Sequence, residues 1–65
     1  MEIIKNYKSG DENIVIKKYN RGLVICYNYD YKSCSYVGHS AYYDTIEEAE
    51  KMLFKHRPDA VTVKV

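Results

Sequence analysis

Eight of the 65 residues are tyrosine, and most of them fall where apolar and polar residues alternate, the period of a strand and not of a helix. A chain of this kind needs a sheet on which the rings can stand. Tyrosine joins a large apolar body to a polar tip, so a cluster of such rings suits a surface that another molecule covers at least as well as a closed core. The composition points to contact before chemistry.

A chain of this length makes one domain, residues 1–65, and buries only about 60% of its unfolded surface on folding. A staple or a partner is then expected to supplement the core. Cys26 and Cys34 allow at most one disulfide and supply half of a four-ligand metal site. Ten basic and nine acidic residues leave a net charge of +1, which gives no overall attraction to nucleic acid or to an anionic membrane. The opening Met1-Glu2-Ile3-Ile4-Lys5-Asn6 lacks the apolar run of a secretory signal, and no apolar stretch approaches a membrane span. A cytoplasmic location is expected, and the weight of Ile, Lys, Asn and Tyr codons suggests an AT-rich bacterial, phage or archaeal genome.

Along the chain, Ile3 and Ile4 open a short strand, and residues 8–13 collect turn formers and charge as a loop. Residues 14–19 and 23–29 read as two strands of a hairpin around Asn20-Arg21-Gly22. A turn near Asp30-Tyr31-Lys32 leads to a strand over about 34–43, in which Gly38 is a candidate bulge or close approach. Asp44 or Thr45 then caps a helix with Glu47 or Glu48 at the capping-box position. Ile46, Ala49 and Leu53 form its apolar stripe, flanked by Met52 and Phe54, and Lys55, His56 and Arg57 close it before Pro58. Residues 60–65 alternate as a last strand with the valines on one face.

The order β-β-β-β-α-β predicts an α+β fold, a mostly antiparallel sheet with one amphipathic helix on one face. A two-residue loop at Arg21-Gly22 puts Ile14 and Ile16 beside Ile25 and Tyr27, the face assigned to the helix. The other face then carries Val15, Lys17, Tyr19, Val24 and Cys26, with Cys34 and Tyr36 from the next strand. That face is too apolar for open solvent, which argues for a partner.

Cys26 and Cys34 are symmetric about Asp30, so a loop centred there makes them unbonded neighbours across two strands, small apolar residues in a reducing compartment. With His39 and His56 they lack the paired spacing of a metal site, and no metal or cofactor is expected. Cys34, His39 and Asp44 can be written as a nucleophilic triad, but their regular spacing reflects adjacency in sequence, and a domain this small has little room to enclose a substrate. Neither enzyme activity nor a small-molecule substrate is expected.

The junction Tyr42-Tyr43-Asp44-Thr45-Ile46-Glu47-Glu48-Ala49 resembles the passage from third strand to helix in ethylene-response-factor DNA-binding domains and in the arm-binding domains of phage integrases. Those families read the groove with Arg and Trp from the sheet. This chain has no Trp, one strand-region arginine at Arg21 and a strand after the helix, so no DNA contact is carried over from them.

The resulting expectation is a non-enzymatic protein-interaction module, of the kind that small phage, prophage or bacterial accessory proteins present to a host factor, acting as a homodimer. Val15, Tyr19, Val24 and Tyr36 form the dimer face, and Tyr36→Glu or Val24→Glu would separate the copies. The alternative is a nucleic-acid platform in which Lys17, Arg21 and Lys32 meet phosphates while Tyr19 and Tyr36 stack on bases.

Overall fold

The structure is a computed structural model that describes residues 2–64. Val65, expected at the end of the last strand, lies outside the described residues. The elements are β1 (Glu2–Ser9), β2 (Glu12–Tyr19), β3 (Gly22–Tyr27), β4 (Gly38–His39), α1 (Ile46–His56) and β5 (Val61–Val63). The strands form one antiparallel sheet in the order β4-β3-β2-β1-β5 with the helix packed on it. This is the small α+β fold that the element order predicts. Among the described residues no helix is long and apolar enough to cross a membrane.

Two tight hairpins build the sheet. Ser9 stands opposite Glu12, so the first loop is only Gly10-Asp11, with Gly10 at φ +60°, a conformation glycine adopts at little cost. Residues 8, 9, 12 and 13, expected in the loop, belong to the strands. Tyr19 stands opposite Gly22, so the second loop is Asn20-Arg21, one residue earlier than expected. Moving a hairpin loop by one residue moves the register by two, and every side chain keeps its face. Ile14, Ile16, Ile25 and Tyr27 therefore share the helix side, as the alternation predicts.

β1 does not keep one register. Ile3 faces Lys17 while Lys5 faces Ile16, which makes Ile4 an extra residue, a β-bulge. Lys5 and Tyr7 consequently reach the helix side and Ile3 the opposite one.

Thr45 caps the helix by accepting the Glu48 N–H at 3.2 Å, and Ala49 and Leu53 bury themselves against Tyr7, Ile14, Ile16 and Ile25. Two charged links fix the helix on this face. The Glu50 carboxylate accepts the Tyr7 hydroxyl and the Lys5 ammonium, each at 2.6 Å. Both contacts hold that carboxyl below its ordinary range, the Lys5 hydrogen bond more than the Tyr7 one. The Tyr7 phenol is pushed far above its usual value, by burial first and by Glu50 second. At the other end Arg57 donates from Nε to Glu12 at 2.7 Å and lies 5.0 Å from the Tyr27 ring centroid.

The opposite face is covered as well. Asn28, at φ +53°, turns the chain out of β3, and the segment after it folds back over the sheet. Tyr29 donates its N–H to the Asn13 carbonyl at 2.7 Å and packs with Val15, Val24 and Cys26 in a second core. Asp30 then accepts the Lys32 N–H at 3.1 Å and the Ser33 hydroxyl at 2.8 Å, and Asp30 bridges Ser35 around the turn. The Tyr31 hydroxyl reaches Asn6 at 2.6 Å.

Candidate functional site

The expected strand over 34–43 is realised as an interrupted edge. Gly38 and His39 pair regularly with Tyr27 and Cys26, but Tyr43, not Tyr42, bridges Leu23. One extra residue has entered between these points, which is a bulge. Ser40 repairs the ladder there. Its N–H bonds the Ile25 carbonyl at 2.9 Å, and its hydroxyl accepts the Ile25 N–H at 2.8 Å while donating to Ala41. Gly38, the expected irregular position, has open space where a Cβ would sit.

The bulge decides what the surface carries. In an unbroken strand Tyr42 would oppose Leu23 on the helix side. The extra residue sends Tyr43 there instead, where it packs on the helix-side core. Tyr42 turns to the face that holds Tyr19 and His39. Tyr19, Val24, Tyr36, His39, Ser40 and Tyr42 line a groove of about 180 Å³. Its walls are rings set nearly at right angles, with Tyr19 and Tyr42 6.3 Å apart at 85° and Tyr36 and His39 5.9 Å apart at 86°, the edge-to-face arrangement that ring quadrupoles favour. Tyr42 is 49% exposed.

Polar atoms rim the groove. Partial burial, then a hydrogen bond with Tyr36, pushes the Tyr19 phenol up to about 12. His39 Nδ1 lies 2.9 Å from the Ser40 carbonyl, which can only accept, so Nδ1 bears the proton and Nε2 stays available. Such a surface can bury an apolar or aromatic side chain while offering it phenol and imidazole hydrogen bonds.

The residues singled out from sequence divide into three groups. Val15 is 0%, Val24 5% and Lys17 6% exposed. All three were expected on an open face, but the segment after β3 covers them within the same chain. The Lys17 ammonium lies 4.7 Å from the Tyr29 ring centroid and 5.9 Å from that of Tyr36, a cation held against ring faces. Tyr19 and Tyr36 meet in the groove. Arg21 is exposed in the β2–β3 loop, and Lys32 is exposed in the turn spanning 31–34.

The cysteines also depart from expectation. Cys26 stands opposite His39 and is buried, while Cys34 is exposed at φ +58° in the turn. Both are free, and burial pushes the Cys26 thiol up, with Lys17 opposing in part. Tyr42, His39 and Ser40 were not among the expected contact residues; His39 reaches the groove through its regular pairing with Cys26, and Tyr42 through the bulge. Exposed aromatics beside Gly38 were the available signal. No family model, curated protein or solved structure matches this chain.

Proposed function

We propose that the chain is a non-enzymatic interaction module of the cytoplasm that receives an apolar or aromatic side chain of a protein partner in the Tyr19–Tyr36–Tyr42 groove. One observation carries the reading. The second sheet face closes its own core with Tyr29 and yet leaves a tyrosine-walled groove open beside it. Exposed aromatic clusters with a polar rim have the composition of an interface centre. In the groove the Ser40 hydroxyl is engaged by the Ile25 N–H and the Ala41 carbonyl, and His39 Nδ1 by the Ser40 carbonyl, which supports binding over turnover.

A nucleic-acid platform would have to work without Lys17, whose ammonium is enclosed, leaving Arg21 and Lys32 on separate turns. Affinity capture from bacterial lysate, with and without nuclease, tests the proposal. A protein retained after nuclease and lost with Tyr42→Glu is expected. Loss of every bound species on nuclease treatment, or capture indifferent to Tyr42→Glu, would overturn it.

A further inference from the structure

The two edges of the sheet are unlike. The β4 edge is interrupted by its bulge, a common way of discouraging strand-to-strand association. Among the described residues the β5 edge carries no bulge, though at three residues it is itself short. Val61, Thr62 and Val63 are all exposed, with Val61 and Val63 at 60% and 37%, and they pair with Lys8, Tyr7 and Asn6 of β1 on one side only. The register sets both valines on the face opposite the helix, where Val63 and Tyr31 border a cleft of about 280 Å³.

The sequence of this edge is self-complementary. If two copies of β5 pair antiparallel about a two-fold axis at Thr62, each Val61 meets the other copy's Val63 and the two threonines meet each other. Apolar pairs and Thr–Thr pairs are both favourable across strands. Lys64 falls opposite Ala60 of the second copy, and symmetry repeats that pair at the other end. We infer that this chain forms a homodimer by antiparallel pairing of β5, making one continuous ten-stranded sheet. The four valines then share a face with the two Tyr31 rings.

This interface is separate from the groove, and it replaces the dimer face expected from sequence, since Val15 and Val24 are enclosed within one chain. A three-residue edge is short against the roughly 1,000 Å² of a robust interface, so the dimer dissociates on dilution. Multi-angle light scattering across the micromolar to millimolar range should approach twice the 7.6 kDa chain mass. Val61→Glu should weaken association about tenfold or more by setting a lone charge against valine. Adding Val63→Lys should restore it, because the carboxylate introduced at 61 then faces the ammonium introduced at 63 of the other copy. Both positions are exposed, so far-UV circular dichroism should show each variant folded. A monomer mass at every concentration would overturn the inference, as would a dimer indifferent to Val61→Glu, a double variant no tighter than the single, or a dimer dissociated by Tyr42→Glu.

Discussion

Tyr29→Ala should open the second core. Tyr29 is 4% exposed and packs on Val15, Val24 and Cys26, and its ring meets Lys17 and, edge-on at 5.1 Å, Tyr31. Truncating a buried aromatic costs about 3–5 kcal/mol. The cation contact and the ring pair are each worth about 1 kcal/mol and overlap with that figure, so a loss of about 3 kcal/mol is expected. For 65 residues at about 0.05–0.15 kcal/mol per residue, total stability is about 3–10 kcal/mol. The substitution therefore removes a third of it or all of it. Tyr29→Phe keeps the ring and should cost about 1 kcal/mol or less. Urea unfolding followed by circular dichroism gives both values. In a Cys34→Ser background, the reactivity of the Cys26 thiol toward a disulfide reagent reports locally, since Cys26 is shielded only while the segment is closed. A Tyr29→Ala loss below about 1 kcal/mol with Cys26 still protected would show that this segment is not a lid on a core.

Two further perturbations test the helix side and the edge. Glu50→Ala should cost about 1–3 kcal/mol by leaving the Tyr7 hydroxyl without its acceptor, measured by urea unfolding; a change within about 0.5 kcal/mol would contradict the role given to Glu50. Because the folded-state pKa of Glu50 is depressed, its contribution is present above the unfolded value of about 4.3 and is lost as pH falls through the folded one. Thermal melts should therefore show wild type losing stability on acidification below that point more than Glu50→Ala does. Among the glycines, alanine should be worst at Gly22, where φ is +137° and a Cβ would lie 2.7 Å from the Tyr43 carbonyl oxygen. It should be milder at Gly10, where only φ is unfavourable, and nearly neutral at Gly38; any other order in melting temperature would contradict the bulge geometry.

The hairpin and the helix were legible because their signals are local. Ile14, Ile16 and Ile25 keep their face whether the loop is Arg21-Gly22 or Asn20-Arg21, so an error of one residue in the turn was harmless. Thr45 and Glu48 announce the helix start through side-chain chemistry that needs no tertiary context. Tyr29 and the residues after it were harder. Asn28 takes a left-handed conformation that asparagine tolerates but does not require, and without that turn the alternation runs straight on as strand. The same error paired Cys26 with Cys34 in place of His39 and left the second face open on paper. Tyr42 changes face through one inserted residue, and strand periodicity cannot reveal such an insertion. Glu50 read as part of a helix surface because its partners, Lys5 and Tyr7, lie on a strand more than forty residues away.

The groove itself is tested most directly by placing a photo-crosslinking phenylalanine at Tyr42 and, in a second variant, at Lys51 on the exposed side of the helix. Irradiation in lysate should join the position-42 probe to a discrete protein that survives nuclease, while the position-51 probe gives none. Equal adducts from both positions, or adducts at 42 that nuclease removes, would contradict a protein-docking groove.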